Sequence, residues 1–359
     1  MQSVFLNGRF FSQPLTGVQR FAMETTAAID RLTAKGEWPH TTVIAPRNSV
    51  SIAPHFKRLR VMEFGKSRGS IWEQTELPIA SRSGMLVNLG NTGPLLKGRR
   101  QIIVIHDAGA FDTPESYSLQ FRTWYRVLQR RLADSGAKIV TVSEFSRERI
   151  AHHLKISRDE VTVMHEGADH IVRVPPDAGT LDRHGLKDGR YVLVVGNTAG
   201  HKNVDSIGSI ASLLKRKGIE LAIVGSVKSS IYRANANGAS FGRALGRVTD
   251  PELRALYESA YCLLFPSRYE GFGLPPVEAM ACGCPVLASR GGAIQEVCGE
   301  AALYFSPDER CSMSEAVELI LNDEGLVSCL REKGLERAAR FRWDASAQVL
   351  ARVVKTFYR

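Results

Sequence analysis

FPSRYEGFGLPPVEAMACGCPVLAS, residues 265–289, is punctuated as a strand, a loop, a short helix and a second strand. The apolar strand Tyr261–Phe265 ends at Phe265, and a loop, Ser267–Leu274, follows. Pro275 and Pro276 open a helix, where a missing N–H is harmless because the first turn has no carbonyl for it to bond. Glu278 is expected in the first helical turn, where a carboxylate suits the dipole. Gly283 stands where a left-handed cap ends the helix, and Pro285–Ala288 is the next strand. The helix N-terminus then points to where the preceding strand's carboxyl end opens, and its free N–H groups suit phosphate or sugar oxygens. Gly271 and Gly273 let the backbone approach a ligand with no side chain in the way. A plain strand–turn–helix with an exposed Glu270 accounts for the same residues taken one by one.

The same alternation runs along the whole chain. Short β-branched apolar runs alternate with helical patterns, the mark of βα units stacked around a parallel sheet. Strands are expected at Ser3–Leu6, Thr42–Ala45, Leu59–Phe64, Met85–Leu89, Ile102–Ile105, Lys138–Val142 and Val161–Met164. Helices are expected at Gly17–Leu32, Ile71–Ser81, Leu119–Ala133 and Ser146–Leu154. The periodicity stops at VRVPPDAGTLDRHG, residues 172–185, whose prolines, glycines and polar residues predict an interdomain linker. Beyond it come strand Tyr191–Val195, helix Val204–Lys217 with Asn203 as N-cap, strand Glu220–Val224, helix Pro251–Ser259, the two strands named above, and helices to the end. The expected fold is α/β, two Rossmann-like βα domains facing across a cleft, because such sheets bind ligands beyond the carboxyl ends of their strands.

A chain of 359 residues suits two domains. Its 44% hydrophobic and 23% charged residues are the balance of a soluble globular protein. No apolar run reaches the ~18 residues of a membrane span, and the start, SVFLN, reads as a strand and not as a signal sequence; a cytoplasmic location is expected. The six cysteines all fall between Cys262 and Cys329, with no two CxxC units to cage zinc, and are expected as free thiols. A net charge of +10 attracts polyanions in general, so nucleic acid, anionic lipid and phosphorylated substrates all stay open on charge alone.

Five further segments carry landmarks. Residues 16–30, TGVQRFAMETTAAID, are a glycine loop and helix, and residues 104–116, VIHDAGAFDTPES, put His106 and Asp107 at a strand end. Residues 140–150, VTVSEFSRERI, hold a Ser-Glu-x-Ser turn, and residues 194–207, VVGNTAGHKNVDSI, place Lys202 between a strand and a helix. Residues 245–260, LGRVTDPELRALYESA, precede the first segment quoted, in which Glu270 and Glu278 flank Gly-Phe-Gly. In this order the six resemble the large retaining glycosyltransferase family typified by sucrose synthase, sucrose-phosphate synthase and bacterial mannosyltransferases: family 4, or glycosyltransferases group 1. The chain departs from the pattern at Asn197 and His201, where many members carry Arg, and at Glu166-Gly167-Ala168-Asp169, where Asn-Gly-Val-Asp is usual.

The resemblance implies the GT-B architecture. An N-terminal acceptor-side domain would comprise residues 1–172 plus 342–359, a linker 173–187, and a nucleotide-sugar domain 188–341. It implies a retaining transferase that moves a hexose, mannose-type favoured, from a nucleotide-sugar to a lipid-linked glycan acceptor in bacterial-type polysaccharide or lipopolysaccharide synthesis. The nucleotide-sugar is a substrate, a GDP-sugar favoured and a UDP-sugar open, and no cofactor is expected. Glu270 and the backbone of Gly271, Phe272, Gly273 and Leu274 would hold sugar hydroxyls. Glu278 would hold the ribose, Lys202 the diphosphate, with Gly17 and Asn197 beside it, and backbone groups at Arg247 and Val248 the base. Charge develops on the diphosphate as the glycosidic bond breaks, and a preorganised cation with helix N-termini stabilises it there. With no Asp-x-Asp pair or other carboxylate cluster, no metal is expected. His106, with Glu270 the catalytic candidate, would approach the transferred sugar near its reacting carbon and shape the acceptor pocket, while Asp107 orients the loop.

In FRTWYRVLQRR, residues 121–131, Phe121, Trp124 and Leu128 recur at helical spacing, with Arg122, Arg126 and Arg130 on an adjoining face. This reads either as a helix lying on an anionic membrane, at the inner face of the cell membrane, or as a domain helix with its arginines in water. A nucleotide-sugar epimerase of the same architecture is the rival enzyme, separated by its independence of an acceptor. A hydrolase using both glutamates would leave the nucleotide-binding features without purpose. The rival outside enzymes is a basic nucleic-acid-binding protein, for which the chain has scattered basic residues but no binding module.

Overall fold

The computed structural model describes residues 3–49, 56–196, 199–225, 242–309 and 311–357; Asn197 lies outside them. The chain forms two compact units, Met1–Gly167 with Arg342–Arg359, and Ala168–Phe341.

The first unit is built on strands β1 (Val4–Asn7), β2 (Thr41–Ala45), β3 (Arg60–Glu63), β4 (Met85–Asn88), β5 (Gln101–Val104), β6 (Lys138–Thr141) and β7 (Val161–Val163). They form one sheet in the order β3-β2-β1-β4-β5-β6-β7, every pair parallel. The second unit repeats the plan with β8 (Tyr191–Val195), β9 (Glu220–Val224), β10 (Arg243–Gly246), β11 (Cys262–Phe265), β12 (Val286–Ser289) and β13 (Ala302–Phe305), in the order β10-β9-β8-β11-β12-β13. Both orders run outward from the first strand to the third, then restart on its other side with the fourth. Central strands such as β4, β5, β11 and β12 are buried at every residue, as a parallel sheet covered on both faces requires. The strands read from sequence are all present within two residues at each end. The two the sequence reading missed, β10 and β13, are the edges of the second sheet.

Five helices position the functional side chains: α1 (Gly17–Ala34), α2 (Leu119–Asp134), α3 (Asp250–Ser259), α4 (Leu274–Ala281) and α5 (Trp343–Thr356). Where a single helix was expected at 204–217, a 3-10 segment, Val204–Ile210, leads into a short α-helix, Ala211–Arg216. Asn203 precedes it in the left-handed conformation and makes no side-chain cap.

Residues 173–187 are not a bare linker. The division between units falls after Gly167, and this segment belongs to the second unit, where it includes helix Thr180–His184. Its backbone, short of ladder partners, is satisfied by α3. The Asp177 N–H donates to the Pro251 carbonyl at 3.0 Å, and Arg254 donates to the carbonyls of Val172 and Val174 at 2.9 and 2.6 Å.

The reading of α2 also changes. Only Leu128, with Leu132, enters the core, while Trp124 stays 40% exposed. Arg122 and Arg126 are half-buried against the protein: they donate to the carbonyls of Pro114 and Ala110, at 3.3 and 2.8 Å. Arg126 and Arg130 also lie over the Phe111 ring. Among the described residues no helix is long and apolar enough to cross a membrane.

The terminal helix α5 packs along α1 within the first unit. Its first residue, Trp343, is fully buried, with Phe21 of α1 edge-on at 5.8 Å. A Cβ at Gly167 would fall 2.3 Å from the Trp343 backbone nitrogen, so that contact requires glycine. Replacing a buried tryptophan with alanine removes about 3–5 kcal/mol. Trp343→Ala is therefore expected to lower the denaturant midpoint of the first unit by an equivalent amount, read by urea titration of the whole chain. A loss under about 1 kcal/mol would show that α5 is dispensable to the unit.

Candidate active site

In the second sheet the strand order reverses at β8 and β11, which pair directly. The loops leaving their carboxyl ends diverge and leave the crevice where ligands of such sheets bind. Lys202 comes from the loop after β8 and Glu270 from the loop after β11, and their side chains meet, Nζ to Oε1, at 2.6 Å. The loops are also joined through the backbone, since the His201 carbonyl accepts from the Arg268 N–H at 2.7 Å. A third loop, after β12, holds the second from behind. Cβ atoms at Gly291 and Gly292 would lie 2.4 Å from the carbonyl oxygens of Ser267 and Glu270, and the Ala293 N–H donates to that Glu270 carbonyl. This glycine pair is a support the sequence reading did not single out.

Gly273 precedes α4 with φ of 99°, a conformation that favours glycine. The helix ends as expected. Gly283, at φ 70°, donates to the Met280 carbonyl and Cys284 to that of Ala279, the paired bonds of a Schellman cap. Phe272 is buried against Phe341, edge-on at 5.4 Å, so it offers a ligand only backbone. Gly271 and Leu274 are likewise buried.

Glu278 is not in the first turn, which contains no acidic residue. The helix begins at Leu274, and the carboxylate sits a turn deeper, 5% exposed. Side chains and not the dipole hold it there. His170 Nε2 lies 2.9 Å from Oε1, and the Tyr257 hydroxyl donates to Oε2 at 3.0 Å. Burial, then the Glu278 charge, pushes the Tyr257 phenol far above its ordinary range, so it remains a donor. Sequence reasoning missed both partners, because no spacing links His170 to a glutamate 108 positions away. Burial raises the nearby Cys282 thiol to about 12 and keeps it protonated. Arg247 is exposed and Val248 half-buried in the turn between β10 and α3.

In the first unit, Gly17 is the first residue of α1 and has open space where a side chain would stand, so local packing makes no demand for glycine there. His106, just beyond β5, is buried. Its Nε2 lies 3.0 Å from the Leu89 carbonyl and its Nδ1 3.3 Å from the Glu166 carboxylate. Both partners are acceptors, so both ring nitrogens must donate, and the arrangement is satisfied by the imidazolium. Burial opposes that charge, but the hydrogen bond and charge of Glu166, with help from the Leu89 carbonyl and Asp107, leave the pKa raised above its ordinary value. Glu166, a departure from the family turn, thus has a physical role as the counter-charge of His106. A raised pKa stabilises the fold fully below the unfolded value of about 6.5, and that stability is lost as pH rises through the folded value. The melting temperature of the first unit is expected to fall across that alkaline window. Glu166→Gln should lower it near pH 6 by the equivalent of roughly 3 kcal/mol and flatten the pH dependence; an unchanged slope would remove the ion pair.

Among the described residues no three of His, Cys, Asp and Glu cluster so as to hold a metal ion. A family model described as "Glycosyl transferases group 1" matches residues 181–338. The O-antigen chain mannosyltransferase B of Escherichia coli is 30% identical over 256 residues, 68% of this chain and 67% of its own length. The O-antigen chain mannosyltransferase RfbU of Salmonella typhimurium is 27% identical over 77% of this chain and 76% of its own. Among solved structures, sucrose-phosphate synthase from Thermosynechococcus elongatus superposes with a TM-score of 0.75 at 18% identity, over 100% of this chain and 99% of that one. WaaG, a glycosyltransferase of lipopolysaccharide biosynthesis, gives 0.71 at 16% identity over 98% and 99%. The two parallel sheets are those of the GT-B architecture, and the chain belongs to the glycosyl transferases group 1 family and is a glycosyltransferase.

Proposed function

We propose that the chain is a retaining, metal-independent hexosyltransferase that moves a mannose-type sugar from a GDP-sugar to a lipid-linked glycan acceptor in bacterial-type polysaccharide or lipopolysaccharide synthesis. The pairing of Lys202 with Glu270 at the switch point of the second sheet carries this reading: it sets a cation for a departing diphosphate beside a carboxylate for the sugar. The mannosyltransferase names of the curated relatives support the sugar and the pathway; a UDP-sugar is the second choice of donor.

In this reading Lys202 and the N–H groups at the start of α4 stabilise the charge that develops on the diphosphate. Glu270 and the backbone from Gly271 to Leu274 hold the sugar, with Asn197 on the phosphate side and backbone groups at Arg247 and Val248 on the base. Glu278, oriented by His170 and Tyr257, binds the ribose. The first unit takes the acceptor, and His106, held as a cation by Glu166, fixes the end of β5 there. Docking on the inner face of a membrane falls to Leu119, Trp124 and Val127 of α2, which are 68%, 40% and 52% exposed.

The three charged residues are expected to separate kinetically. Lys202→Ala should weaken nucleoside diphosphate binding about tenfold to hundredfold in calorimetry, the value of a charge-assisted hydrogen bond. Glu270→Gln should lower kcat about 10²-fold, yet leave diphosphate affinity equal or higher, because it releases Lys202 from its partner. Glu278→Gln should mainly raise the donor KM, since ribose contacts are the same in ground and transition states. Unchanged transfer in both glutamate variants would refute the site. Transfer should also persist in excess EDTA; abolition with rescue by Mg²⁺ or Mn²⁺ would refute the metal-independent mechanism.

A further inference from the structure

The first sheet has its own switch point, between β1 and β4, and a cavity of about 240 Å³ lies at the carboxyl ends of the strands there. It is smaller than the ~300–1,000 Å³ clefts that take drug-sized ligands, and its size suits one sugar ring. One wall is a ladder of rings spaced four residues apart. Tyr117 and Phe121 stack at 5.3 Å and 7°, and Phe121 and Tyr125 at 4.0 Å and 23°. Gln129 continues the row, is buried, and donates to the Asn91 carbonyl at 3.3 Å. Gln19 of α1 and Asp107 beyond β5 also line the cavity. A Cβ on Gly109 would lie 2.8 Å from both Asp107 Oδ1 and the Tyr117 hydroxyl, so glycine keeps the space between those two groups open.

The charge in the cavity decides what it holds. Only Arg9 and Asp107 among its lining residues are charged. Arg9 is bound to the buried Glu73 carboxylate at 2.7 Å and is therefore neutralised. Asp107, which accepts from the Gly109 N–H at 2.6 Å, is then the charge that gives the lining its net negative sign, and it repels phosphate. The stacked rings give the C–H groups of a pyranose an apolar wall, while amides and a carboxylate bond its hydroxyls. The Tyr125 phenol is raised by burial and lies within reach of the charges of Arg9, Glu73 and Asp107, so it stays a donor.

We propose that this cavity, walled by Tyr117, Phe121, Tyr125, Gln129, Gln19 and Asp107, binds one uncharged pyranose ring of the acceptor and selects against a phosphorylated sugar. The proposal rests on the transferase reading and goes beyond it by assigning the place and charge state of the acceptor's sugar.

The test is ligand-observed saturation-transfer NMR on the full chain with the methyl glycosides of mannose, glucose and N-acetylglucosamine, and with mannose 6-phosphate as the charged arm. At least one methyl glycoside should bind with a dissociation constant on the order of 1 mM, and mannose 6-phosphate about tenfold more weakly. Phe121→Leu, at a position exposed enough to leave folding intact, should weaken the glycoside about tenfold. Asp107→Asn should weaken it similarly and narrow the gap to mannose 6-phosphate, a change in selectivity that a purely structural role would not produce. Calorimetry with GDP and UDP on the same sample reads the second unit separately. Nucleotide binding without glycoside binding would overturn the cavity and leave the transferase reading standing. Glycoside binding without nucleotide binding would do the reverse. Equal binding to wild type and Phe121→Leu, or mannose 6-phosphate binding as tightly as the glycosides, would also overturn it.

Discussion

The pairing of β8 with β11 is the constraint on which the chemistry of the second unit depends. Val192 and Leu193 sit in register with Cys262 and Leu263, although the chain has gone out through β9 and β10 and returned between them. Because the chain leaves on one side of β8 and comes back on the other, no crossover covers the carboxyl ends of these two strands. Lys202 and Glu270, 68 positions apart in sequence, are brought to 2.6 Å by the strand pairing and by the backbone bond from Arg268 to His201 beside them. The glycine pair after β12 then fixes the Glu270 loop from its far side. The first sheet applies the same rule at β1 and β4. There the side chains ending the two strands, Asn7 and Asn88, bond each other at 3.0 Å.

Each unit carries an acid–base pair beyond the carboxyl ends of its strands, and burial gives the two pairs different uses. The side chains of Lys202 and Glu270 keep 21% and 11% of their surface, so an incoming anion can compete for the lysine and solvent can reach the carboxylate it leaves. His106 and Glu166 keep 6% and 7%. Separating them would strand a charge in the interior, which costs several kcal/mol. The first pair can exchange partners, and the second is scaffold. This is why a histidine that resemblance places at the reacting carbon is read from its contacts as a fixed cation that ties β5 to the turn after β7.

Legibility followed burial. Interior strands announce themselves as continuous apolar runs, and every one was readable from sequence. β10 is exposed at three of its four residues and shows neither a run nor a clean alternation; β13, ALYF, is an apolar run half-buried at two residues, which the sequence reading passed over as part of the helices that end the chain. The geometry of the candidate site was legible where local backbone chemistry dictates it: the Gly273 turn, the α4 cap, and the loop positions of Lys202 and Glu270. It was illegible where distant side chains decide. Placing Glu278 by the helix dipole assumed that a carboxylate near a helix start is held by that start. The helix begins too early for this, and a histidine and a tyrosine from other segments hold the carboxylate instead. Residues 173–187 looked like a linker for a related reason. Proline and glycine remove local periodicity, but they do not prevent an arginine elsewhere from satisfying the backbone.

Helix α2 shows what a period alone leaves out. Phe121, Trp124 and Leu128 share the spacing of one apolar face, yet the helix presents three surfaces, not two. Leu128 and Leu132 enter the core, Tyr125 and Gln129 continue a ladder begun by Tyr117 and Phe121, and Leu119, Trp124 and Val127 face outward. A four-residue step overshoots one helical turn by roughly 40°, so a row at that spacing winds slowly around the axis. The ladder accordingly runs from exposed Phe121, through half-buried Tyr125, to buried Gln129, a rim-to-floor gradient that a straight face could not make. Arg122 and Arg126 fix how far the helix is rotated, because their bonds to the carbonyls of residues 110–114 hold only at one setting. The arginines that suggest a lipid-facing surface in the sequence are therefore what aims the ring ladder at the cavity. The outward apolar stripe is a consequence of the same rotation.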